Sequence, residues 1–277
     1  MSTRSPGGFG PTSVRSPRVS AVRRLQQRRV REEQRLFVVE GPQGVAEALA
    51  SRGAVAEWFA TEQSLAAHPD WPVDPAPVIV PEDVLAAMSE TRSPQGVLAV
   101  CRFSDQPLVQ AASGPLAVLL WQIRDPGNAG TVLRTADAAG ASSVLFSTES
   151  VDVYNGKCVR STAGSLFHVP VVRDADPLEA VAALKASGCT VLAADGAGDT
   201  DLYDLLPGPA GAGTLAGPVA WVFGNEARGL PQEVLRAVDA RVAIPHAGRA
   251  ESLNLAAAAA VCLMTTAAAQ AGRISSM

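Results

Sequence analysis

LAVLLWQ (116–122) is followed, after Ile123, by RDPGNAGTVLRTADAAG (124–140), and this junction decides the fold. An unbroken apolar run predicts a strand covered on both faces, as in parallel sheets, where an alternating run would leave one face wet. Asp125-Pro126-Gly127 then makes a turn, and Asn128 is predicted at the N-cap of a helix. The same strand-then-helix unit recurs downstream. SVLFS (143–147), VPVV (169–172), TVLAA (190–194), VAWVFG (219–224) and RVAIP (241–245) read as further strands, and LNLAAAAAVCLMTTAAAQA (253–271) as a long final helix. Alternation of this kind predicts an α/β fold, a parallel sheet with helices on both sides. PGPAGAGTLAGP (207–218) reads as a flexible surface loop.

Upstream of 116 the pattern is different. Residues 1–17 are rich in Ser, Pro, Gly and Arg and are predicted to be disordered. In residues 18–35, Val19, Val22 and Leu25 keep a helical spacing, which predicts one Arg-coated helix docking a narrow apolar stripe. LFVVE (36–40) reads as a strand, broken by Gly41-Pro42, with a helix over 45–50. Strands near 55–60, 78–80 and 97–103 and helices near 63–67 and 81–89 complete a small αβα layer. The expected organisation is a basic arm (1–35), an αβα domain (36–105), a linker (106–115) and a larger α/β domain (116–277).

Charge separates the same parts. Residues 1–35 carry nine Arg against Glu32 and Glu33, a balance of +7, whereas the remainder holds 14 basic and 25 acidic groups, or −11. A basic arm on an acidic body suits contact with nucleic acid or another acidic surface, and suits a solubilising tail equally. Arg23, Arg24, Arg28 and Arg29 are the candidate RNA contacts. Cys101, Cys158, Cys189 and Cys262 are scattered, with no C-x-x-C pair, and the three His are isolated. They predict neither disulfides nor a metal site. With no apolar segment of membrane-spanning length, the expected location is the cytoplasm.

Chemistry concentrates at three predicted strand ends, where parallel sheets bind ligands. The first holds Asn128, Gly130 and Arg134. A cation placed early in a helix opposes the dipole, so Arg134 is expected to meet an anion such as a phosphate. The second is VFGNEARGL (222–230), in which Gly224 permits close backbone approach, Glu226 can accept hydrogen bonds and Gly229 closes the loop. The third is IPHAGRAESLNLAAAA (244–259), with Ser252 as a natural N-cap and Asn254 as an amide in an apolar helix start that needs partners if buried.

Jointly, Asn128-x-Gly130-x-x-x-Arg134, Gly224-x-Glu226-x-x-Gly229 and Ser252-Leu253-Asn254 after Ile244-Pro245 resemble the signature motifs of the SpoU (TrmH) family of RNA methyltransferases, over roughly residues 116–270. Arg-rich residues running into FVVEG (37–41) resemble that family's substrate-binding domain. The resemblance implies a trefoil-knotted sheet, a homodimer and S-adenosylmethionine held near Gly224, Gly229, Ile244 and Leu253. It implies methylation of a ribose 2′-hydroxyl, in ribosomal RNA rather than transfer RNA by analogy with the first domain. Arg134 is then the group that activates the hydroxyl, acting across the dimer or as a phosphate clamp. Asn128, Glu226, Ser252 and Asn254 orient the ribose. Two rivals remain: a transfer-RNA methyltransferase, and a non-catalytic RNA-binding protein of the same fold. A dinucleotide-binding oxidoreductase is disfavoured, because no G-x-G-x-x-G follows the first strand of the larger domain.

Overall fold

The computed structural model describes residues 10–72, 74–208, 213–250 and 252–274. The expected disorder of the first residues and the centre of the 207–218 loop fall largely outside them. By contacts the chain divides into two units, one reaching to Ser104 and including Asp152–Phe167, the other formed by Asp105–Val151 and the chain from His168.

The first unit contains α1 (Pro17–Arg24), α2 (Arg28–Gln34), β1 (Leu36–Glu40), α3 (Pro42–Ala50), β2 (Val55–Ala60), α4 (Glu62–Ala67), β3 (Val78–Ile79), α5 (Glu82–Met88) and β4 (Val97–Arg102). Its sheet order is β1-β4-β2-β3, antiparallel except for the β2–β3 pair. Period-2 burial in β1 puts Phe37 and Val39 inside. Glu40 at its end accepts from Glu90 N–H (2.7 Å), Ser89 Oγ (2.8 Å) and Thr91 N–H (3.3 Å), so the acidic residue of FVVEG holds the turn before β4.

The arm departs from the single helix expected over 18–35. Ser16 caps α1 and Pro17 presets its first turn; Val19, Val22 and Leu25 pack with Val30, Val84 and Met88. The chain breaks at Leu25–Gln27 because Leu25 and Val30, five residues apart, cannot share one face of a continuous helix. Arg31, assigned to the arm's surface charge by the sequence, is 3% exposed. Its Nη1 donates to the carbonyls of Leu25 and Gln26 (2.8 Å each), satisfying the broken helix end. Its Nε (2.9 Å) and Nη2 (2.6 Å) donate to one oxygen of Asp152. The segment carrying Asp152 also includes α8 (Gly156–Thr162), and though expected within the larger domain it packs with the first unit. Tyr154 stacks on Phe103 (3.8 Å between centroids) and lies 4.6 Å from Phe37.

The second unit follows the chain through α6 (Leu108–Ala111), β5 (Leu116–Leu120), α7 (Pro126–Ala138), β6 (Ser143–Ser147), β7 (Val171–Ala175), α9 (Pro177–Ala186), β8 (Thr190–Ala194), β9 (Thr200–Asp201), β10 (Val219–Phe223), α10 (Gln232–Ala237), β11 (Ala240–Ala243) and α11 (Leu255–Gln270). Seven strands form a parallel sheet in the order β7-β6-β5-β10-β8-β11-β9. All five residues of β5, β6 and β10 are buried, which accounts for the unbroken apolar composition of β5 and β10 and for the apolar centre of β6 between the buried Ser143 and Ser147. β7 starts two residues later than expected. Pro170 has no N–H to give; Val171 and Val172 pair with β6, and the register then shifts past the polar Arg173 and Asp174 before Ala175 pairs with Ser147. The two-residue β9 has no sequence signal.

After β11 the chain returns past β8 to lay α11 against β10 and α7. Trp221 Nε1 donates to Thr266 Oγ1 (2.9 Å) in the core, tying α11 to β10. All four cysteines are buried. Burial pushes the Cys262 thiol up to about 12 and that of Cys101 well above its ordinary value, so both are inert apolar packing. No helix among the described residues is long and apolar enough to cross a membrane.

Candidate active site

The parallel order sets the C-terminal ends of β5, β10, β8 and β11 side by side, and each of the three motif segments leaves one of them. After β5, Asp125 caps α7 by accepting from Asn128 N–H (2.8 Å), with Pro126 at the first helical position. Asp125 thus takes the capping role expected of Asn128, which frees the Asn128 side chain. Its Nδ2 donates to Glu226 Oε1 (3.2 Å), and its Oδ1 accepts from Asn254 Nδ2 (3.2 Å). A carboxylate only accepts, so the amide must turn its nitrogen to Glu226 and its oxygen to Asn254. One polar chain therefore links segments 98 and 126 residues apart.

The loop after β10 is folded on itself. Asn225, 7% exposed, donates from Nδ2 to the Gln122 carbonyl (2.7 Å) and accepts at Oδ1 from Ala227 N–H (3.1 Å) and Arg228 N–H (3.2 Å). Asn225 and Gly229 exchange backbone bonds, with Gly229 at φ 65°. The bare backbone of Gly224 is used by the loop itself: a Cβ there would lie 2.5 Å from the Gly229 carbonyl carbon. Asn225 is not a specified position of the three sequence motifs; its one cue is an amide directly after a strand end, where asparagine bonds the turn backbone.

In the third segment Asn254, not Ser252, caps α11, accepting from Ala256 N–H (2.9 Å) and Ala257 N–H (3.4 Å). Asn254 is exposed rather than buried, as are Ser252 and Leu253. Its position in an apolar run reflects capping and a solvent-facing amide, not burial among apolar side chains.

A cleft of about 410 Å³ opens over these strand ends. Gly224, Gly229, Ile244 and Leu253 line it, together with Glu226, Ser252 and Asn254. Asn128 reaches its edge through Glu226 and Asn254. The floor is apolar, from Phe223, Leu230, Val242 and Leu255, while the open side of Gly196, where a Cβ would meet nothing, leaves backbone bare. The size and the mix of apolar floor and few polar groups suit a nucleoside-sized ligand, and Glu226 supplies a carboxylate for a cationic one. Asp195, missed in the sequence, also lines the cleft. Its carboxylate is occupied by Arg241 (Nε 3.0 Å, Nη2 2.9 Å) and by Ala197 N–H (2.9 Å), so it braces the turn after β8. No group of His, Cys, Asp and Glu suited to a metal exists among the described residues.

Arg134 is not brought into this cleft. It is the ninth residue of α7, exposed, without an ion pair or hydrogen bond among the described residues. Six residues separate it from Asn128, about 9 Å along the axis and roughly 240° around it. The expectation that it sits near the helix N-terminus is corrected: α7 begins at Pro126, which puts Arg134 past the helix midpoint, beyond reach of the N-terminal dipole. In the first unit, Arg23 and Arg24 are exposed, their side chains without partners among the described residues, while Arg28 and Arg29 pair with Glu32 (4.0 Å) and Glu33 (2.8 Å).

Residues 115–264 match the model of the SpoU rRNA Methylase family, and residues 16–99 that of an MRM3-like substrate binding domain. The chain is 34% identical over 252 residues to the 23S rRNA (guanosine(2553)-2′-O)-methyltransferase RlmP of Bacillus subtilis, covering 90% of this chain and 95% of the relative. The crystal structure of an AdoMet-bound rRNA methyltransferase from Sinorhizobium meliloti superposes with a TM-score of 0.79 at 33% identity, over 92% of this chain and 96% of that one. The SpoU methyltransferase AviRb from Streptomyces viridochromogenes superposes at 0.77 with 28% identity, over 93% and 98%.

Proposed function

The chain belongs to the SpoU rRNA methylase family, and from that premise we propose that it transfers a methyl group from S-adenosylmethionine to a ribose 2′-hydroxyl of 23S ribosomal RNA. The observation that carries this is the Asn254–Asn128–Glu226 hydrogen-bond chain along the edge of the cleft at the strand ends. Three separated segments meet there, each contributing a polar group and no metal ligand set.

S-adenosylmethionine, when bound, supplies an electrophilic methyl on a sulfonium. What remains for the protein is to align the acceptor oxygen and lower the cost of its deprotonation. The bare Gly196 and the apolar floor suit an adenosine moiety, with Gly224, Gly229, Ile244 and Leu253 around it. Asn128, Glu226, Ser252 and Asn254 orient the ribose through donors and acceptors that the cleft leaves facing solvent. Arg134 clamps the neighbouring phosphate and favours the ionised hydroxyl; a guanidinium holds its proton too tightly to be itself the base. Because Arg134 is exposed and does not line its own cleft, it serves the site of a second copy in a homodimer built through the catalytic unit. The return of the chain past β8 to α11 fits the trefoil threading that goes with this fold. The first unit, with the arm, holds the RNA, and the enzyme works in the cytoplasm.

The test is to map 2′-O-methyl groups in 23S rRNA with and without the gene, and to restore the missing mark in vitro with purified protein and tritiated S-adenosylmethionine. A mark lost and restored on 23S rRNA is the expected result. An unchanged map, or a mark on transfer RNA instead, would overturn the substrate assignment.

A further inference from the structure

A second group of side chains flanks the cleft without lining it. Gln122, two residues after β5, has φ 47°, a left-handed conformation that costs a residue with a side chain. Three bonds hold it there. Its N–H donates to Ser147 Oγ (2.8 Å), its carbonyl accepts from Asn225 Nδ2 (2.7 Å), and its side-chain oxygen accepts from Arg228 Nη2 (2.6 Å). The Arg228 guanidinium also lies 5.8 Å over the Trp121 ring.

Arg228 is exposed and pairs with no carboxylate among the described residues. Of its five N–H donors, one is used by a side chain that is neutral. Gln122 therefore orients the cation without discharging it. An arginine kept for stability alone is better served by a carboxylate, and no strained backbone is needed to aim it. An oriented, uncompensated guanidinium fork matches a phosphate, which it can take through two parallel bonds. Arg228 also belongs to the same tight loop as Glu226, so a phosphate there would adjoin the Asn128–Glu226 edge of the cleft.

We propose that Arg228 grips a backbone phosphate of the substrate RNA beside the target ribose, with Gln122 as the residue that positions it. The assignment rests on the RNA methyltransferase reading and adds to Arg134 a substrate contact from the chain that owns the cleft.

Gln122→Glu tests it with little change of shape: the bond to Arg228 persists, but the charge is neutralised. The probe is unmodified 23S rRNA transcribed in vitro, with binding measured across a salt series. Calorimetry with S-adenosylhomocysteine runs in parallel, and wild-type methylation of the same transcript is the reference. Gln122→Glu and Arg228→Ala should each weaken transcript binding roughly tenfold and reduce the slope of log K against log salt by about 0.7–0.9, one phosphate. S-adenosylhomocysteine affinity should stay within about twofold in Gln122→Glu, and Arg228→Lys should recover part of the RNA affinity. Wild-type RNA affinity and slope in Gln122→Glu would overturn the assignment. Loss of S-adenosylhomocysteine binding in that variant would overturn it too, by showing that the pair merely braces the loop. A wild-type protein that neither binds nor methylates the transcript would remove the underlying reading, and this assignment with it.

Discussion

Arg134 carries a full charge on the surface of α7 with nothing among the described residues to neutralise it. Its own cleft is built without it, whereas Asn128, Glu226 and Asn254 are already joined. On the proposed function the residues divide into a preformed edge that would position the ribose and a cation that would act where charge develops on the 2′-oxygen. A preset donor to developing charge is worth a factor of about 10²–10³ in turnover. Arg134→Ala should accordingly lower kcat by at least about 10²-fold while S-adenosylhomocysteine affinity, read by calorimetry, stays within about twofold. A variant turning over at near-wild-type rate in the tritiated-methyl assay would remove Arg134 from the mechanism.

Among the elements, the arm has two kinds of arginine. Arg31 is structural: it bonds the helix break and the buried Asp152. Arg31→Met leaves that carboxylate buried and unpaired and should cost the first unit about 3–5 kcal/mol in urea denaturation. Arg31→Met with Asp152→Leu should recover most of it, because two apolar groups leave no stranded charge. The other arm arginines among the described residues are exposed. Arg23 and Arg24 have no side-chain partner among the described residues, while Arg28 and Arg29 sit in exposed i,i+4 pairs worth only about 0.3–0.5 kcal/mol each. Arg23→Gln with Arg24→Gln should flatten the salt dependence of 23S rRNA binding by about 1.4–1.8 in slope, two phosphates' worth. Arg28→Gln with Arg29→Gln should flatten it less, because each of those arginines must first leave its glutamate. An unchanged slope in both doubles would make the arm a solubilising tail.

For the whole molecule, the proposed role of Arg134, which does not line its own cleft, would make a homodimer part of the chemistry. Mixed dimers of Arg134→Ala and Asn128→Ala test this directly. If Arg134 acts across the interface, one site in each heterodimer has both residues and activity reappears on mixing two dead variants. If it acts within its own chain, every site lacks one of them and the mixture stays inactive. Sedimentation of the wild type should show the dimer, and Met264→Glu on the exposed side of α11 (Met264 is 48% exposed) should break it and abolish methylation together.

The sequence by itself determined the strand–helix order, the runs of β5, β6 and β10 and the three polar segments at strand ends. Those signals are local: a strand covered on both faces is predominantly apolar, and a turn must carry residues that can bond or bend its backbone. Tertiary structure alone decided which amide caps which helix, since Asp125 and Asn254 took roles that Asn128 and Ser252 could equally have filled. It also decided that Asp152–Phe167 packs with the first unit and that Arg31 is buried, because a partner 121 residues away leaves no trace in local spacing. The hydrogen-bond chain from Asn254 to Glu226 has the same origin. Its members are ordinary surface residues until the sheet order brings their strand ends together.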